Sequence, residues 1–180
     1  LPTTVYKSER VLPRNVLPAD YYCSRPAHAH MPLIVMLVLT QMSVGAFVVE
    51  QLLQSELTAL AGIATIDHLR PAQLVAALAL GFLGLFAAVF HLGRPLLAYR
   101  AIIGLATSWL SREILAFNLF AALASAYVAS ACISYAGWNI PPQIEDAVGA
   151  PAGFSGLLAI VCSMMIYIDT RRGFWGSVFW

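Results

Sequence analysis

Four uninterrupted apolar runs, each long enough to cross a lipid bilayer as a helix, constrain this chain more than any other feature. The first extends from Met31 to about Leu53 and opens with Pro32, tolerated in a first helical turn because the N–H it lacks has no partner there. The second, Pro71 to His91, contains no charged residue. At about 1.5 Å per residue it makes about 30 Å of helix, the thickness of a bilayer's hydrocarbon core. The third runs from about Ser111 to Ala136 and the fourth from about Ala152 to Ile168. Between them GWNIPPQIEDAVGAP, residues 137–151, reads as a connecting loop, because a helix does not continue through Pro141 and Pro142. Runs of this length without period-two alternation exclude a lipid-facing barrel.

Composition agrees with lipid as the main solvent. The 180 residues are 60% hydrophobic and only 11% charged, where a soluble domain carries about 25% charged residues. The expectation is therefore an all-α membrane protein, a four-transmembrane-helix bundle over residues 31–172. It is preceded by an extended surface arm, residues 1–30, carrying Pro2, Pro13, Pro18 and Pro26, and followed by an interfacial tail, residues 173–180. Small residues at helical spacing, Gly81, Gly84 and Ala88 in the second span and Ala122, Ser125, Ala126 and Ala129 in the third, predict close backbone approach between helices.

The net charge of +1 gives no basic field for nucleic acid, but its distribution is lopsided. Lys7, Arg10, Arg14 and Arg25 precede the first span; Arg94, Arg100 and Arg112 lie between the second and third; Arg171 and Arg172 follow the fourth. Nine of the ten basic residues thus share one end, and the other holds only Arg70, with Glu56, Asp67, Glu145 and Asp146. The positive-inside rule makes the basic end cytoplasmic, with both termini inside. A complex that exports its soluble subunits already folded would place the same end outward. Trp175 and Trp180 would mark the inner interface and Trp138 the outer one.

Polar residues inside a bundle need a reason. Thr40 and Ser43 are expected to bond their own helix backbone, Gln41 and Asn118 to tie helices together, and Cys132 and Cys162 to be inert core residues. The connection between the second and third spans is different. It gathers His91, Arg94, Tyr99, Arg100, Ser108, Trp109, Ser111, Arg112 and Glu113 at the basic end. If the two helices pack side by side, His91 and Glu113 place an imidazole and a carboxyl together at the membrane boundary, a pair suited to a molecule that loses protons as it loses electrons. At Glu113 the helix N-terminus favours the ionised form and burial the neutral one, so the two effects oppose each other. An Arg112–Glu113 cluster that merely pins the span at the interface fits the pattern equally well. Haem is disfavoured, because His28, His30, His68 and His91 lie outside the spans or at their ends. Three widely spaced cysteines, Cys23, Cys132 and Cys162, supply no metal or iron–sulfur site.

FHLGRPLLAYRA at Phe90 to Ala101, SWLSREI at Ser108 to Ile114, HAHMPLIVMLVLTQMSVGAF at His28 to Phe47 and YIDTRRGFW at Tyr167 to Trp175 resemble the membrane-anchor subunit of dimethyl sulfoxide reductase and related molybdenum enzyme complexes. The resemblance implies a multi-pass anchor in the inner membrane of a prokaryote. Such an anchor oxidises a quinol, typically menaquinol, and passes electrons to an iron–sulfur partner subunit and on to a molybdenum catalytic subunit, with no haem or cluster of its own. It implies His91 and Glu113 as quinol-site residues, with Arg94, Ser108, Ser111 and Arg112 as further candidates for contacts to the quinone or to the partner. Family members have about eight spans, so four predict that these residues are the N-terminal half of a larger anchor. Two other functions stay open: a purely structural anchor that binds no quinone, and a transporter module, for which Glu50 near the end of the first span is the motivating residue.

Overall fold

Each apolar run forms one long helix. The computed structural model describes residues 31–61, 63–91, 99–100, 103–138 and 140–169, with the backbone alone for 54–61, 63–68 and 91. The helices are α1 (Met31–Ala61), α2 (Ile63–His91), α3 (Trp109–Tyr135) and α4 (Pro142–Asp169). All four are long and apolar enough to cross a membrane, and among the described residues there is no strand. The expected arm 1–30, the tail 173–180, Arg94 and both C-terminal arginines lie outside the described residues.

Two helix starts differ from the sequence expectation. Helix α2 begins at Ile63, so Pro71 sits inside it, and α4 begins at Pro142, so Pro151 sits inside that one. Pro142 takes the first helical position, where proline's fixed φ fits and no backbone hydrogen bond is lost. An interior proline forfeits one bond of the ladder, but the rest of a long helix packed against its neighbours carries the chain through. The residues assigned to a loop, Gln143 to Ala150, are therefore helical and bring Glu145 into the bundle.

The tightest pairings are the neighbours α1–α2 and α3–α4, with α2 also against α3 and α1 against α4, so the helices form a closed ring. Its core contains Met36, Val44, Phe47, Leu74, Ala77, Ala116, Phe120, Ala124, Tyr127 and Ala159. Phe47 meets Phe120 edge to face with centroids 5.6 Å apart, the geometry that aromatic quadrupoles favour. Small residues set the interhelical spacing, though not all of the expected ones. Gly81 and Gly84 are buried, and a Cβ at Gly84 would lie 2.9 Å from Thr40 Cγ2. In α3, however, Ala122, Ala126 and Ala129 are exposed, and the buried small residues are Ala116, Ala124 and Ala131. Spacing alone did not say which stripe of α3 faces inward; the larger Phe117, Phe120 and Tyr127 decide that.

Thr40 donates to the Met36 carbonyl at 2.8 Å as expected, whereas the Ser43 hydroxyl is buried with no protein partner. Gln41 and Asn118 do not tie these four helices together. Both are exposed, and Asn118 bonds the Ile114 carbonyl of its own helix at 2.7 Å. Cys162 is buried and Cys132 half-buried, and both are free thiols.

One close approach to α4 yields a test. A Cβ on Gly156 would lie 2.8 Å from Val44 Cγ2 and 3.0 Å from Phe120 Cδ2, while one on Gly45 meets nothing within 4 Å. Gly156→Val should destabilise the detergent-solubilised protein by about 1–3 kcal/mol, the usual scale of overpacking. Gly45→Ala should leave it unchanged, as read by thermal denaturation.

Candidate functional site

Helix α3 aligns polar groups at both ends of the bundle. Glu113, Phe120, Tyr127 and Ser134 recur every seven residues, a spacing that drifts only about 20° per repeat around a straight helix. Glu113, Phe120 and Tyr127 are buried. Glu113 and Tyr127 are fourteen residues apart, which is about 21 Å along the helix axis. The line therefore carries one polar residue near each membrane boundary and an aromatic ring between them.

At the basic end the start of α3 is built from the SWLSREI motif. Ser108 is the N-cap, in extended conformation, and its hydroxyl accepts from the Ser111 backbone N–H at 3.4 Å. Arg112 folds back on the chain that precedes it: Nε donates to the Leu105 carbonyl and Nη2 to the Ala106 carbonyl, both at 2.9 Å. Its guanidinium stands 4.3 Å from the Trp109 ring centroid. Such a stacked, forked contact suits arginine specifically. The Thr107 and Ser108 backbone N–H groups donate to the Gly104 carbonyl, which tightens the same turn. Gly104 packs on Ser111, where an added Cβ would come 2.6 Å from the hydroxyl.

Glu113 follows directly and turns the other way, into the bundle. It is 5% exposed. Among the described residues no arginine or lysine pairs with it. One turn outward, between the start of α3 and the end of α4, an open pocket of about 280 Å³ is lined by Thr107, Ser108, Trp109, Leu110, Ile166 and Asp169. Of the six residues singled out from sequence, Ser108, Ser111, Arg112 and Glu113 thus belong to one local structure. His91 is the last residue of α2, in seven-residue register with Arg70, Ala77 and Gly84; its side chain and Arg94 lie outside the described residues. The four described residues do different things: Ser108, Ser111 and Arg112 shape the turn, and Glu113 alone projects a buried ionisable group inward.

The opposite end holds a cluster that sequence reasoning missed. Arg70, taken from sequence as a loop charge, joins all four helices. Its Nε meets Glu50 Oε1 of α1 at 2.8 Å, its Nη1 meets Glu145 Oε2 of α4 at 3.0 Å, and its Nη2 donates to the Tyr127 hydroxyl of α3 at 2.8 Å. That hydroxyl donates in turn to Glu50 Oε2 at 2.8 Å, and Ser134 donates to Glu145 Oε1 at 2.7 Å. Gln51 donates to Glu50 Oε2 at 3.3 Å. The carboxyls of Glu50 and Glu145 are buried, at 4% and 8% residue exposure. The clue in the sequence was arithmetic: the one basic residue of that end, with an acidic residue inside the first span, marks a pair.

The geometry describes a multi-pass membrane bundle with a four-helix ionic clasp at one end and a lone buried carboxyl at the other. The chain belongs to the DMSO reductase anchor subunit (DmsC) family, whose pattern it matches over residues 26–178. A subunit of the sulfite dehydrogenase of Allochromatium vinosum is 35% identical over 101 residues, 53% of this chain and 31% of that protein, so the match spans about a third of that relative's length. No solved structure matches the chain.

The clasp makes its own prediction. Arg70→Met leaves two buried carboxylates without their cation, a loss of the order of 3–5 kcal/mol for a broken buried pair. The bundle should then fail to accumulate in membranes. The triple variant Glu50→Gln, Arg70→Met, Glu145→Gln removes both signs of charge and should recover most of that loss, as read by membrane yield and thermal denaturation.

Proposed function

We propose that this chain is the quinol-binding part of the membrane anchor of a molybdenum and iron–sulfur oxidoreductase complex in the inner membrane of a prokaryote. Its site lies at the basic end, cytoplasmic by the positive-inside count. The observation that carries this reading is Glu113, a carboxyl buried at the membrane boundary, one turn behind an open pocket. The family supplies the context of an oxidoreductase anchor.

The pocket residues fit a flat quinol head. Thr107 and Ser108 offer hydroxyls, Trp109 a ring face, and Leu110 and Ile166 apolar walls, and the pocket is open. A bound menaquinol-type quinol supplies two electrons and two protons. Glu113 accepts one of the protons at a carboxylate oxygen, and His91, at the same end of the adjacent helix, is the proposed acceptor of the other. Trp109 and the capped turn, held by Arg112, fix the mouth of the pocket. The electrons leave to the iron–sulfur partner subunit and from there to the molybdenum subunit. The relative's identity as part of a sulfite dehydrogenase favours the reverse direction as a second reading. There the partner's electrons reduce quinone, and Glu113 and His91 deliver protons instead of taking them.

Glu113→Gln is nearly isosteric and removes the proton acceptor. The complex should assemble with its soluble subunits, while menadiol-driven reduction of the partner's iron–sulfur clusters falls by about 100-fold or more, the range expected for losing a positioned proton acceptor. Unchanged turnover would remove Glu113 from the site. A structural anchor without a quinone site predicts in addition that a labelled quinone analogue fails to bind the purified complex.

A further inference from the structure

Two motifs that lie far apart in the sequence meet in the open pocket at the basic end. SWLSREI supplies Ser108, Trp109 and Leu110 around the start of α3, and YIDTRRGFW supplies Asp169, the last residue of α4. Ile166 lies three residues before Asp169 on the same side of that helix, so the pocket runs along its final turn. Of the six lining residues, Asp169 alone carries an ionisable group, and the proton transfers assigned to Glu113 and His91 make no use of it.

What each polar group offers a head group follows from its hydrogen-bonding inventory. A quinol presents two O–H groups that donate and accept, whereas a quinone presents two carbonyl oxygens that only accept. Hydroxyls serve either form, because each carries a donor and acceptor sites, and the Trp109 N–H meets an acceptor in both. Thr107 spends its proton on the Gly104 carbonyl at 3.5 Å, a weak contact, and Ser108 accepts from the Ser111 N–H at 3.4 Å. Neither is committed to one redox state. A carboxylate accepts and has nothing to donate. Asp169 therefore bonds a quinol O–H, but faces a quinone carbonyl lone pair against lone pair.

We propose that Asp169 is the specificity-determining residue of this pocket, the group that selects quinol over quinone. The proposal rests on the pocket being the quinol site. Asp169 takes a hydrogen bond from one quinol O–H and no proton passes to it; the transfers that break O–H bonds stay with Glu113 and His91. Asp169 is exposed, so its carboxylate trades water for the head group and gains about tenfold in affinity, the net scale of one charged hydrogen bond. In a membrane that holds both forms, such a pocket fills with quinol and lets the oxidised product go. The same preference makes quinol an inhibitor of the reverse reaction, so Asp169 favours oxidation as the working direction.

The test uses the purified complex with all its subunits. Equilibrium dialysis measures tritiated menadione on the oxidised complex and tritiated menadiol on the dithionite-reduced complex, where no turnover occurs. The wild type should bind menadiol about tenfold more tightly than menadione. Asp169→Asn, nearly isosteric and able to donate, should weaken menadiol by about the same factor and tighten menadione, which abolishes the preference. Asp169→Ala, which supplies neither donor nor acceptor, should weaken menadiol and leave menadione nearly unchanged. In turnover both variants should raise KM for menadiol with little change in kcat, whereas Glu113→Gln lowers kcat. Equal binding of the two forms by the wild type, or an unchanged preference in Asp169→Asn, overturns the role of Asp169 alone when Glu113→Gln is inactive. Full activity in Glu113→Gln, or binding of neither form, overturns the quinol site itself.

Discussion

A guanidinium placed between four helices at the edge of a membrane is the constraint on which the rest of this bundle depends. Charge is expensive in hydrocarbon, so Arg70 has to be matched before the helices are stable there. The matching uses one side chain from each of the others: Glu50 of α1, Tyr127 of α3 and Glu145 of α4. With three directional contacts from one planar group, neither the rotation nor the axial position of any helix is free. The same contacts decide that Phe47, one turn below Glu50, meets Phe120, one heptad below Tyr127. They also bring the α4 backbone at Gly149 against Gln51 and Tyr127, where a side chain would not fit.

Fixing one end determines the other. Once Tyr127 is held by Arg70 and Glu50, seven-residue spacing carries the inward face of α3 through Phe120 to Glu113. Between the ends lie Val44, Phe47, Leu74, Phe120, Ala124 and Ala159, packed without a polar group apart from Thr40, Ser43 and Ser155. Two of those hydroxyls bond their own helix. Among the described residues this middle offers a proton no continuous chain of acceptors. The clasp also sharpens the charge asymmetry, because the single basic residue of the opposite end is neutralised within the bundle. No lysine or arginine of that end is left to oppose the positive-inside bias.

The sequence made the number and class of helices plain, because a bilayer demands uninterrupted apolar length and little else produces it. Helix starts were less legible. Pro71 looked like a first-turn proline and lies inside α2, whereas Pro142 looked like part of a loop and is the first residue of α4, since continuing a helix past its apolar run depends on what its charges meet in three dimensions. Gln143 to Ala150 looked like a loop because Glu145 and Asp146 are polar; the partner that draws Glu145 inward is Arg70, far away in sequence. The position of Glu113 was visible, because the residues that aim it are its immediate neighbours.

That locality gives the SWLSREI segment a physical meaning beyond its pattern. Ser108 caps the helix, Trp109 receives the guanidinium of Arg112, Ser111 packs beneath Gly104, and Arg112 ties down the preceding turn. Each is engaged in starting α3 at one residue and in one orientation. A helix begun one position later would turn its side chains by about 100° and carry Glu113 off the line of Phe120 and Tyr127. The clasp fixes that line from one end and the motif fixes it from the other, so the direction of Glu113 is set twice. Its neighbours in the motif are committed to backbone and ring contacts, and the residues that hold the clasp are committed to one another. What is left at the basic end, among the described residues, is one buried carboxyl with no arginine or lysine paired to it.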